Sequence, residues 1–136
     1  MLDQYVTVLS SLEAHKLYTL DAVTSNDILF QDPFNKTTNR TALKAIFSEM
    51  YEKLNDVTFL VSKSILSNDT GFIIWTFSGD SKLTGSFSFE GSSEVIFDSK
   101  GLVISHRDYW DASLLMETLP VFGLLIKSLR KRMQTS

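Results

Sequence analysis

Cysteine is absent from the 136-residue chain. That absence excludes disulfides, thiolate nucleophiles and cysteine-based metal sites, and it matches the expectation for a protein of the reducing cytoplasm. Histidine is nearly as scarce. His15 and His106 are the whole complement, with no spacing to carboxylates that would build a metal centre, so no metal is expected. Only two prolines and six glycines occur, and no linker, repeat or low-complexity segment divides the chain. One domain over residues 1–136 is therefore expected. Long apolar runs are missing too: the longest, Leu119 to Ile126, is broken by Pro120 and Gly123, whereas a membrane span needs roughly 20 apolar residues. The N-terminus carries Asp3 early, without a basic stretch leading into an apolar one, so no signal peptide is expected. A basic excess is also lacking, and a net charge of −3 argues against a nucleic-acid partner.

What is present is an ordinary globular balance, 43% hydrophobic and 21% charged, with a rich supply of aromatics that includes ten phenylalanines. Aromatic side chains bury much area with few flexible torsions, which suits a core or an apolar ligand cavity equally.

The first third of the chain reads as helix. Leu2, Tyr5, Val6, Leu9 and Leu12 follow amphipathic spacing, and a second short helix is predicted from His15 to Val23. Thr24-Ser25-Asn26-Asp27 reads as a turn and Ile28-Leu29-Phe30 as a brief strand entering Gln31-Asp32-Pro33-Phe34-Asn35, where Pro33 ends regular pairing. From Arg40, the stripe Leu43, Ile46, Phe47, Met50 and Leu54 predicts a third helix. The period then changes to two. Val57–Leu66, Gly71–Gly79, Leu83–Phe97 and Leu102–Asp111 read as four strands joined by short turns, which implies an antiparallel meander. Gly91, near the middle of the longest, predicts a bulge or bend. The tail from Ala112 to Met133 is helical in character. Helices followed by strands point to an α+β fold, with the helices packed on one face of a curved antiparallel sheet and a cavity between the layers.

The run His106-Arg107-Asp108-Tyr109-Trp110-Asp111 is unusually polar and bulky for a strand. Alternation puts His106, Asp108 and Trp110 on one face and Arg107, Tyr109 and Asp111 on the other. An imidazole, a carboxylate and an indole on one face suggest a pocket wall. Asp108 is the first candidate for acid–base chemistry, since a carboxylate in an apolar cavity is desolvated and becomes a stronger base. His106 is a candidate partner or ligand donor. Asp32 is a second candidate carboxylate, although Asp before Pro is also an ordinary turn residue. Trp75, Phe77 and Trp110 are candidate apolar walls, and plain core packing explains them equally well. Lys127, Arg130, Lys131 and Arg132 follow an apolar stretch and suit a helix C-terminus, with attachment to an anionic membrane surface as the minor reading.

Phe30-Gln31-Asp32-Pro33-Phe34-Asn35, the Arg40 helix and the meander ending in His106-Arg107-Asp108-Tyr109-Trp110-Asp111 together resemble the SnoaL-like branch of the NTF2-like superfamily, over nearly the whole chain. The resemblance implies a cone-shaped (cystatin-like) α+β fold, a dimer, and a deep pocket between sheet and helices. It implies ketosteroid isomerases, polyketide cyclases and limonene-epoxide-hydrolase-like enzymes as relatives. In the epoxide-hydrolase pattern, the catalytic aspartate of the last strand matches Asp108, a water-holding polar residue falls on Asp32 and a tyrosine falls on Phe30. That pattern's Arg-x-Asp pair falls instead on Trp75 and Phe77, so its epoxide mechanism is not available here. The expectation is a homodimer whose pocket, bordered by Phe30, Trp75, Phe77 and Trp110, takes a small hydrophobic molecule. Asp108, His106 and Asp32 would supply cofactor-free isomerisation, cyclisation or hydration; a non-catalytic binding or scaffold protein is the alternative. The tail from Pro120 is expected to close the cone.

Overall fold

The computed structural model describes residues 1–119 and 122–135. Helix α1 (Leu2–Ser10) buries Leu2, Tyr5 and Leu9, the face its spacing prescribes. The second helical segment is not the single helix expected from His15 to Val23. It is a 3-10 stretch over Ala14–Ala22, kinked at Lys16 (φ −115°, ψ 15°). Side-chain hydroxyls compete with the backbone ladder here: Thr19 Oγ1 donates to the Lys16 carbonyl at 2.7 Å and Thr24 Oγ1 to that of Leu20 at 2.6 Å.

Strand β1 (Thr24–Gln31) begins four residues before the brief strand expected at Ile28 and absorbs the expected turn. Thr24 is fully buried, and its hydroxyl also accepts from Arg40 Nε at 2.9 Å, which anchors the extended start. A two-residue strand that the sequence did not announce, β2 (Lys36–Thr37), pairs with the end of β1. Helix α2 (Arg40–Lys53) starts where the Asn39 side chain accepts from the Ala42 N–H at 2.7 Å, and buries Leu43.

Strands β3 (Asn55–Ser67), β4 (Thr70–Ser81), β5 (Gly85–Phe97) and β6 (Val103–Tyr109) form the antiparallel meander. The six-stranded sheet has the order β2-β1-β6-β5-β4-β3, and β1 pairs parallel to β6. Alternation is clear in β4, where Ile73 and Trp75 are buried while Phe72 and Ile74 face outward. The turn before β6 is held by Asp98 Oδ1, which accepts from the Lys100 and Leu102 N–H groups at 2.9 and 3.0 Å. Gly101 there takes the left-handed conformation at φ 83°.

Gly91 does not form a bulge. It pairs in register with Trp75, and the β4–β5 ladder runs without a shift; the register shifts fall in the β3–β4, β1–β6 and β5–β6 pairings. The glycine is needed for close approach: a Cβ there would lie 2.4 Å from the Trp75 ring.

Helices α1 and α2 cover the concave face, and the aliphatic and aromatic core lies between them and the sheet. The C-terminal tail forms α3 (Ala112–Met116), capped by Asp111, and α4 (Phe122–Met133). Arg130 of α4 bonds Glu117 at 2.5 Å and also reaches Ser113. Pro120, from which the tail was expected to close the cone, lies outside the described residues. Among the described residues, no helix is long and apolar enough to cross a membrane.

Candidate functional site

Between the concave sheet and α1 and α2 lies a cavity of about 470 Å³. Phe30, Asp32, Trp75, Phe77, His106, Asp108 and Trp110 all border it, drawn from β1, β4, β6 and the residues just beyond the strand ends. Parity explains the convergence. Trp75 and Phe77 share the inner face of β4, His106 and Asp108 that of β6, and Phe30 pairs in register with His106 across the parallel seam.

A continuous hydrogen-bond chain lies at one wall. Tyr5 Oη is 2.6 Å from His106 Nδ1, and His106 Nε2 is 2.6 Å from Asp108 Oδ1. The same carboxylate oxygen accepts from Ser93 Oγ at 2.5 Å, whose own oxygen accepts from Trp75 Nε1 at 2.8 Å. Tyr5, Trp75, Ser93 and His106 are all buried, and Asp108 keeps part of its side chain exposed to the cavity. One assignment of protons pairs every polar hydrogen in this chain. The phenol donates to Nδ1, a neutral imidazole donates through Nε2–H, and an ionised Asp108 accepts. Burial, with the nearby Asp108 charge adding to it, pushes the Tyr5 phenol far above its ordinary range and keeps it a donor. Asp108 Oδ1 is thus doubly occupied, while no protein donor among the described residues reaches Oδ2.

Arg107 does not neutralise Asp108. It lies on the opposite face, 4.9 Å over the Tyr109 ring. Asp32 is committed differently: its Oδ1 accepts from the Phe34 and Asn35 N–H groups at 2.8 and 2.6 Å, and the Asn35 amide binds both of its oxygens at 3.2 Å. These bonds fold the loop that holds Phe34 edge-on to Trp110, with ring centroids 5.5 Å apart. Trp110, just past the end of β6, stacks on Phe89 at 4.7 Å, and Phe59 and Trp75 meet at 5.2 Å. Trp75 and Phe77, the positions on which the resemblance places the epoxide-hydrolase Arg-x-Asp pair, are apolar cavity wall.

Sequence reading missed Tyr5 and Ser93. A tyrosine within the apolar stripe of α1 did carry a signal, because a buried hydroxyl needs a partner. Ser93 carried none, since only the strand register sets it opposite Asp108. No cluster of three or more metal-ligating side chains exists among the described residues.

Comparison with curated proteins gives no significant match. Among solved structures, similar folds include a ketosteroid-isomerase-like protein from Catenulispora acidiphila, solved in complex with trimethylamine. It has a TM-score of 0.73 at 15% identity and covers 87% of this chain and 90% of its own. An NTF2-like protein of unknown function from Burkholderia pseudomallei gives 0.74 at 11%, over 88% and 95%. An epoxide hydrolase from M. tuberculosis gives 0.69 at 12%, over 99% and 92%. Identities this low speak for the fold alone, and that fold is NTF2-like. The family model for the SnoaL-like domain matches residues 3–106, a span that runs from α1 through the parallel seam to His106, and the chain belongs to that family.

Proposed function

We propose that this protein binds a small, largely apolar molecule in the cavity and uses Asp108 on it as a proton acceptor, without a cofactor. The observation that carries the reading is the asymmetry of the Asp108 carboxylate. Two donors hold Oδ1, and Oδ2 is left free beside an aromatic-walled space of about 470 Å³. A cavity of this size takes a drug-sized ligand, and a fixed, partly desolvated carboxylate is suited to general-base chemistry. His106 acts as the partner that orients Asp108, and Asp32 as the polar anchor of the loop carrying Phe34. Phe30, Trp75, Phe77 and Trp110 contact the ligand.

The test is a thermal-shift screen of wild type and Asp108→Asn against steroids, terpenoids, polyketides and fatty acids, followed by turnover assays on hits. A ligand at about 100 times its dissociation constant adds about 2.7 kcal/mol of stability. A hit that wild type turns over and Asp108→Asn binds without turning over supports the base role. Equal behaviour of the two proteins leaves a binding protein, and no hit at all overturns these four ligand classes.

The outer sheet face supports a homodimer as part of the same proposal. Leu60, Ile65 and Phe72 are 65%, 67% and 51% exposed on it, an apolar area that a second copy would cover.

A further inference from the structure

The donors at the polar wall are spent within it. Tyr5 Oη–H, His106 Nε2–H, Ser93 Oγ–H and Trp75 Nε1–H each bond another member of the chain. The cluster therefore offers a ligand one acceptor and no donor. A carbonyl or a developing oxyanion finds no hydrogen bond there, whereas a positive group does.

Charge points the same way. Three carboxylates border the cavity, those of Asp32, Glu49 and Asp108, against one ammonium, that of Lys53. Lys53 and Glu49 are both largely exposed and bonded to each other at 2.6 Å, so they offset one another and leave Asp32 and Asp108 as the cavity's unbalanced charges. Among the described residues no lysine or arginine pairs with Asp108, and the proton assignment that satisfies Tyr5 leaves His106 neutral. The carboxylate thus faces the cavity without a cation of its own. A desolvated charge in that position is stabilised by a counter-charge brought from outside.

The walls complete the match. The indole of Trp75 is one hydroxyl removed from the carboxylate, Trp110, two residues after Asp108, borders the same cavity, and Phe30 lies 5.3 Å from the His106 ring. Aromatic faces carry negative potential, and rings around a carboxylate are the surroundings in which organic cations are held.

We propose that the cavity selects an organic cation, an apolar molecule bearing a protonated or quaternary amine whose charge rests against Asp108 Oδ2. This rests on the cavity being the ligand site, and it replaces the neutral ligand classes by a charged one.

A matched pair of probes tests it: benzyltrimethylammonium and 2,2-dimethylpropylbenzene, which have the same shape and differ by N⁺ for C. The only two tryptophans of the chain, Trp75 and Trp110, both border the cavity, so intrinsic fluorescence reads occupancy directly. The expected result is tighter binding of the cation by about tenfold or more in wild type. Asp108→Asn should bring the two affinities within about twofold, chiefly by weakening the cation. Asparagine keeps an oxygen for Ser93 and His106, so the wall is preserved; if that variant fails to fold, the wild-type ratio decides alone. Equal or tighter binding of the neutral probe overturns cation selection and leaves the pocket standing. Failure of both probes while a neutral ligand from the screen binds overturns it equally. Silence from every compound overturns the pocket reading along with it.

Discussion

The Tyr5 hydroxyl, on the buried face of the first helix, ties that helix to a histidine 101 residues later. Removing it should be felt in two ways. Tyr5→Phe leaves Nδ1 of a buried imidazole without a donor and should cost about 1–3 kcal/mol in urea unfolding at neutral pH. The second effect appears in alkali. Burial raises the phenol pKa in the folded state above the value near 10 of an unfolded chain. The stabilisation is therefore whole below pH 10 and is lost above it, because unfolded chains release the proton while folded ones keep it. Wild type should lose urea midpoint as pH rises from about 10 to about 12, and Tyr5→Phe should lose less of it. Tyr51, also raised by burial and by Glu13, accounts for a residual slope. At this scale the sequence exposed as much as period-two alternation can carry. His106, Asp108 and Trp110 share a face because strands alternate, and that needed no partner strand. The bond from Ser93 to Asp108 depends on the register of β5 against β6, which lies in no local stretch of residues.

Among the elements, β5 shows where local reading stops. A glycine inside a long strand signals either a bulge or a close approach, and the signal is the same for both. In β5 it is close approach: the Trp75 ring occupies the space where a side chain on Gly91 would project. Gly91→Ala should therefore cost about 1–3 kcal/mol through overpacking and change the emission of Trp75 as the ring is displaced. An unchanged melting temperature and spectrum would contradict this account. The helices α1 and α2 were legible because their apolar stripes are long. The segment Ala14–Ala22 was not, because hydroxyl-to-carbonyl bonds, invisible to periodicity, reshape it. The parallel pairing of β1 with β6 was equally hidden, since it joins residues at opposite ends of the chain.

For the whole molecule, the outer sheet face bears on assembly. If a second copy covers Ile65 and Phe72, Phe72→Asp should convert a dimer at micromolar concentration into a monomer by sedimentation velocity. Its melting temperature at low concentration should change little, because the side chain is half exposed within one chain. A wild type that sediments as a monomer would end that expectation. The parallel seam has a further consequence, in time. Hairpins β3–β4 and β4–β5 link near neighbours, but β1 has no partner to its inner side until β6 has been made, and α1 has no histidine to bond until the same moment. Contacts of such sequence separation close late and slowly. During synthesis the aromatic inner faces of β4 and β5 therefore emerge before the strand that completes the cavity around them. Between the emergence of Phe97 and that of Asp108 those apolar faces lack the strand that covers them, and uncovered apolar surface of this kind favours aggregation.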